Sequence, residues 1–187
     1  MSQKAARYPG GTLKLTHGVA PTINDTQWHI IEEHDNFLET ILDRVKSGKS
    51  FSVFGAPGVG KSFVLKKIKE VLLQSKQKCE AIAPTHAASR LIGGTTVHYF
   101  LGKYSNYAFE GWVLLDEISM LTLPLIAALS QMAAKMKIIC FGDFDQLNPC
   151  YNSWRGKQIE GNFFEHSQLL KTWSENTIFK VDKMPSK

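Results

Sequence analysis

Gly55-Ala56-Pro57-Gly58-Val59-Gly60-Lys61-Ser62 matches the pattern G-x-x-x-x-G-K-[ST] along its whole length. An apolar tetrapeptide, Phe51-Ser52-Val53-Phe54, precedes it, and residues 63–73 follow with apolar side chains at 64, 65, 68, 71 and 72. The first stretch reads as a buried strand and the second as a helix, which is the setting that gives the pattern its chemistry. Glycines at a strand exit let the backbone turn tightly and aim several N–H groups at one concavity. The helix N-terminus adds partial positive charge there, so the element suits a polyphosphate. Lys61 is placed to reach the β and γ phosphates, and the Ser62 hydroxyl to ligate Mg²⁺. The candidate nucleotide-binding set is Gly55, Ala56, Pro57, Gly58, Val59, Gly60, Lys61, Ser62 and Phe63.

The chain has 187 residues, 43% of them hydrophobic, enough for one globular domain with a real core. Its net charge of +5 is compatible with a nucleic-acid partner. Cys79, Cys140 and Cys150 show no C-x-x-C spacing, which points away from zinc and disulfide frameworks and toward a reducing, intracellular setting. The longest apolar stretch, Met120 to Met136, is interrupted by Thr122, Pro124, Ser130, Gln131 and Lys135, so no membrane span is expected. Lys4 and Arg7 are not followed by the apolar core of a secretory signal. Residues 1–22 read as a loose segment, and residues 23–187 as the domain.

The rest of the chain alternates strands with helices, which implies parallel β-α units and an α/β phosphate-loop fold in three layers. Asn24-Asp25-Thr26 is expected to cap a helix from Gln27 to Val45. Strands are expected at 80–83, 112–115, 137–141 and within 175–181. Helices are expected at 87–91 and at 123–134, the latter apolar on most sides and so interior. The strand Trp112-Val113-Leu114-Leu115 closes on Asp116-Glu117, which puts two carboxylates at the carboxyl edge of the sheet, beside the phosphate loop. Asp116 can hold the Mg²⁺ that touches Ser62, and Glu117 can orient and polarise the attacking water. The next strand closes on Gly142-Asp143-Phe144-Asp145-Gln146-Leu147-Asn148-Pro149, where the amide of Gln146 can donate to a γ-phosphate and lose that contact when the phosphate leaves. Catalytic candidates are therefore Lys61, Glu117 and Gln146, with Ser62 and Asp116 for the metal.

Gly-Asp-x-x-Gln-Leu-x-Pro, after a phosphate loop and Asp116-Glu117-Ile118-Ser119-Met120, resembles the first motor domain of a superfamily-1 DNA helicase of the RecD-like and Pif-type group, which moves 5′ to 3′. Three more stretches resemble that family in order. Asn24-Asp25-Thr26-Gln27 is similar to its upstream glutamine motif, which implies that Gln27 reads the adenine edge. Ala83-Pro84-Thr85-His86-Ala87-Ala88 and Thr95-Thr96-Val97-His98 are similar to its single-stranded-DNA segments. The resemblance covers residues 23–182. It implies a RecA-like domain with the strand ending at Gly142 lying between the phosphate-loop strand and the Asp116 strand. It further implies ATP with Mg²⁺ as cofactors, single-stranded DNA as partner, and DNA contacts at Pro84, Thr85, His86, His98 and Phe100.

The family's motor has two RecA-like domains with ATP between them, so a second domain is expected to come from elsewhere. Pro185 stands where the family places an arginine, and Asn148 replaces a proline. A standalone nucleotide-binding domain with a regulatory or interaction role is the alternative. An ATPase that remodels protein fits less well, because it needs no Thr85-His86 or Thr96-His98 segments. The interval from Tyr99 to Gly111 carries Tyr99, Phe100, Tyr104, Tyr107 and Phe109. These rings either stack on bases or pack onto the sheet.

Overall fold

The computed structural model describes residues 27–105, 108–145, 153–154, 157–158, 164–165 and 167–182. Asn24 to Thr26, Tyr107, Gln146, Asn148, Cys150 and Pro185 lie outside them. The elements in order are β1 (His29–Glu32), α1 (Phe37–Lys46), β2 (Phe51–Phe54), α2 (Lys61–Gln74), β3 (Cys79–Ala83), α3 (His86–Leu91), β4 (Thr95–Thr96) and α4 (Val97–Lys103). Next come β5 (Gly111–Leu115), a 3₁₀ turn (Ile118–Met120), α5 (Leu123–Met132), a second 3₁₀ turn (Ala133–Lys135) and β6 (Met136–Gly142). The short antiparallel pair β7 (Ser153–Trp154) and β8 (Lys157–Gln158), then α6 (Gln168–Trp173) and β9 (Thr177–Lys180), follow.

Seven strands form one sheet in the order β1-β9-β2-β6-β5-β3-β4, and every neighbouring pair is parallel. As expected, the strand ending at Gly142 lies between the phosphate-loop strand β2 and β5. The central strands are buried on both faces, which is why they read as continuous apolar runs rather than alternating ones. The period of two still sorts them. Ala81, Ala83, Trp112, Leu114, Ile139 and Phe141 pack on one face with α1, α2 and α3. Ile82, Val113, Leu115, Ile138 and Cys140 pack on the other with α4, α5 and α6. Cys140 is fully buried and its thiol is pushed up to about 12 by that burial, so it is an inert core residue.

The expected helix from Gln27 to Val45 is corrected. Its first part is the edge strand β1, and the helix starts at Phe37 after the turn at Asp35-Asn36. Residues 37, 38, 41, 42 and 45 hold helical spacing, while His29-Ile30-Ile31-Glu32 pairs in register with Thr177 to Lys180. That partner comes from far down the chain, so local pattern could not reveal it. Helix α5 is also less interior than expected: among its residues Ile126 and Leu129 are the buried ones.

Strand β9 enters between β1 and β2, and Val181 N–H donates to the Phe54 carbonyl at 2.8 Å. The phosphate-loop strand is therefore central only because residues 177–181 dock beside it. That approach dictates Gly55, since a Cβ there would stand 2.1 Å from the Val181 carbonyl oxygen. Gly60 takes φ 102° as it leads into α2, a conformation that an L side chain resists.

Candidate nucleotide site

All seven strands of the sheet run the same way, so the loops after β2, β5 and β6 meet at one edge. A cleft of about 360 Å³ there is lined by Pro57, Gly58, Gly60, Lys61, Ser62, Asp116, Glu117, Ser119, Met120, Gly142 and Asp143. Residues from three distant segments thus converge around Lys61. Its Nζ is folded back onto the loop, donating to the carbonyls of Gly55 at 2.5 Å and Ala56 at 2.8 Å. Partial burial lowers its pKa, and the carboxylates of Asp143, Asp116 and Glu117 oppose that shift. Ser62, one residue on, is exposed in the first turn of α2.

Asp116 is 8% exposed, and desolvation raises its pKa against a hydrogen bond from the Glu117 backbone and the charge of Lys61. Glu117 is half-buried; burial raises its pKa first, and the neighbouring Asp116 adds to the rise. Its backbone sits in the left-handed region at φ 51°, unusual for a residue with a Cβ, so that β5 turns at once into the 3₁₀ turn. The Met120 N–H donating to the Glu117 carbonyl at 3.0 Å closes that turn. The result is one buried acid and one more open acid beside a half-buried cation, with an exposed hydroxyl nearby.

A second cleft, about 460 Å³, opens on the other side of the loop. Trp28, Ile30, Phe54, Gly55, Ala56, Asp143, Phe144, Asp145, Glu165, Ile178, Lys180 and Asp182 line it. Phe54 and Phe144 meet edge to face at 5.1 Å between centroids. Its aromatic walls suit a flat heterocycle.

The predicted residues are therefore distributed. Pro57, Gly58, Gly60, Lys61, Ser62, Asp116 and Glu117 share the first cleft, while Gly55 and Ala56 face the second. Val59 packs on the core, and neither cleft is lined by Phe63, whose ring lies 5.7 Å from Lys67 Nζ. Gln27 is exposed, and its neighbour Trp28 is the lining residue. Asp143 went unassigned in the sequence although it closes β6 as Asp116 closes β5. It is the first of the three acids acting on Lys61, it lines both clefts, and its Oδ1 accepts from the Asp145 N–H at 3.0 Å.

On the β3–β4 side of the same edge, Thr85 and Thr96 each cap a helix. Their hydroxyl oxygens accept from the N–H groups of Ala88 at 3.1 Å and Tyr99 at 3.2 Å. Pro84 is half-buried, and His86 and His98 are exposed. Phe100 is corrected: it is 0% exposed and meets Tyr104 and Phe109 at 4.9 and 5.3 Å, because Val97, Phe100 and Tyr104 share the core-facing side of α4 at helical spacing while His98 and Tyr99 fall on the other side. No helix among the described residues is long and apolar enough to cross a membrane.

Residues 39–152 match the family model described as AAA domain. The ATP-dependent DNA helicase Pif1 of Bdellovibrio bacteriovorus is 32% identical over 139 residues, covering 58% of this chain and 31% of that protein. The chain spans less than a third of the length of the curated relatives it matches. The crystal structure of Pif1 helicase from Candida albicans superposes with a TM-score of 0.60 at 22% identity, over 81% of this chain and 40% of that one. That of Bacteroides Pif1 bound to single-stranded DNA gives 0.56 at 18% identity, over 80% and 42%. These likenesses carry the fold. With the sequence match over residues 39–152, the chain belongs to the AAA domain family, as a RecA-like domain of the Pif-type superfamily-1 helicase group.

Proposed function

We propose that this chain is the ATP-binding and ATP-hydrolysing first motor domain of a 5′-to-3′ DNA helicase, and that it grips single-stranded DNA along the β3–β4 edge. The observation that carries the reading is the meeting of Lys61, Ser62, Asp116, Glu117 and Asp143 in one cleft at the N-terminus of α2. Lys61 exchanges its two loop carbonyls for β- and γ-phosphate oxygens, and loop N–H groups share the phosphate charge. The Ser62 hydroxyl and the Asp116 carboxylate would hold Mg²⁺. A pair of protein oxygens fits this ion, which keeps water and phosphate in its remaining positions. Among the described residues no cluster of three or more acidic, His or Cys side chains offers a fuller cage. Mg²⁺ bound there supplies neutralisation of the phosphate charge. Glu117 accepts a hydrogen bond from the attacking water and holds it in line with the γ-phosphate.

The aromatic cleft at Trp28, Phe54 and Phe144 takes the adenine, with Gln27 at its rim. Gln146, next after Asp145, contacts the γ-phosphate. Pro84, Thr85, His86 and His98 meet the DNA, a reading supported by the Bacteroides Pif1 bound to single-stranded DNA. A second RecA-like domain completes the motor, and the greater length of the relatives supports that. The test has two arms. A fluorescent ATP analogue should bind in the presence of Mg²⁺, and Lys61→Ala should weaken it by about tenfold or more, about 1.4 kcal/mol. Equal affinity would remove the phosphate-loop assignment. A labelled oligonucleotide should bind with a log–log salt slope of about −0.7 per neutralised phosphate, for roughly two or three phosphates. Absence of binding at low salt would remove the DNA reading.

A further inference from the structure

The four described aromatics between residues 99 and 109 divide sharply. Phe100, Tyr104 and Phe109 are 0%, 5% and 0% exposed and form a ring cluster under α4. Tyr99 is 60% exposed, outside that cluster. Its backbone is held, because its N–H donates to Thr96 Oγ1 in the first turn of α4 and β4 pairs with β3 through Ala83 and Thr96. The ring therefore projects into solvent from a fixed backbone position at the sheet edge, next in sequence to exposed His98.

The charge along this stretch is mostly positive. Residues 81–109 contain no Asp or Glu and carry His86, Arg90, His98 and Lys103, of which Lys103 is paired with Glu80 at 2.8 Å. Lys69 adds a cation from α2, its Nζ donating to the Gly93 carbonyl at 2.6 Å. The nucleotide end of the same edge differs, with Asp116, Glu117, Asp143 and Asp145. Without a metal ion to offset them, those carboxylates disfavour a strand of phosphates, and the basic stretch is the more favourable part of the edge for one. Beside such a path, a solvent-facing aromatic on a fixed backbone offers what a phosphate contact cannot, a face for a base.

Resting on the DNA reading above, we propose that the Tyr99 ring is a stacking platform for a base of the bound single strand. The contact is indifferent to base identity, since every base has a π-face. It lets the domain hold a strand with few ionic contacts.

The test compares Tyr99→Ala, Tyr99→Phe and wild type by anisotropy on a labelled oligothymidylate and on an abasic strand of the same length. Tyr99→Ala should lower affinity for the oligothymidylate by roughly five- to hundredfold and leave the abasic strand unaffected. Tyr99→Phe should bind like wild type. Unchanged affinity for the ATP analogue shows that each variant is folded. If Tyr99→Ala binds oligothymidylate as wild type does, the stacking role is overturned and the DNA reading stands. If it weakens both strands equally, the residue acts on the backbone and the stacking role is again overturned. If wild type binds neither strand, the DNA reading fails and the platform with it.

Discussion

Replacing Phe100 with Ala separates a core role from a DNA role at the one position where sequence and structure disagree most directly. The ring is 0% exposed and meets Tyr104 and Phe109 edge-on or tilted, at 4.9 and 5.3 Å between centroids. Truncating a fully buried Phe forfeits its transfer energy and leaves a cavity that neighbours only partly fill, a loss of about 3–5 kcal/mol. At roughly 2–4 °C per kcal/mol for a domain of this size, the melting temperature should fall by about 6–20 °C. Thermal unfolding followed by circular dichroism measures the fall. Oligonucleotide anisotropy, run well below the variant's transition, measures DNA affinity on folded protein and should match wild type. A variant that melts within a degree or two of wild type and loses DNA affinity would refute the packing argument and return Phe100 to the DNA edge.

Two further substitutions probe the acids of the cleft. Glu117→Gln keeps the side-chain shape and the ability to bind ATP but removes the charge that polarises water, so the analogue should bind normally while phosphate release falls to background. Turnover equal to wild type would exclude Glu117 as the activating residue. Asp116→Asn should abolish the Mg²⁺ dependence of ATP binding yet raise the melting temperature of the nucleotide-free chain at neutral pH. The sign follows from the raised pKa of Asp116. A carboxyl that binds its proton more tightly folded than unfolded stabilises the fold at low pH and loses that stability as pH rises through its folded pKa. The variant's advantage is therefore full at neutral pH and vanishes below the ordinary value of 3.8. A melting temperature unchanged by the substitution at pH 7 would show that the buried charge carries no such cost.

Most of the nucleotide site is legible in the chain because its parts are local. A glycine-rich turn between an apolar run and a helix, and the paired carboxylates closing the apolar run at 111–115, state their chemistry through spacing alone. Parallel β-α alternation then obliges those ends to share an edge, so the meeting of Lys61, Asp116 and Glu117 follows from pattern plus topology. What the chain could not state by itself depends on partners distant in sequence. His29–Glu32 is a strand only because Thr177–Lys180 lies beside it, and Gly55 is obligatory only because Val181 passes over it. Asp143 gains its bearing on Lys61 from the placement of β6 between β2 and β5. Tyr99 and Phe100 are adjacent aromatics with the same composition signal, and only the seating of α4 on the sheet decides that one ring is core and the other faces solvent. Spacing encodes which groups an element carries; burial and strand insertion, which are non-local, decide which of them reach a ligand.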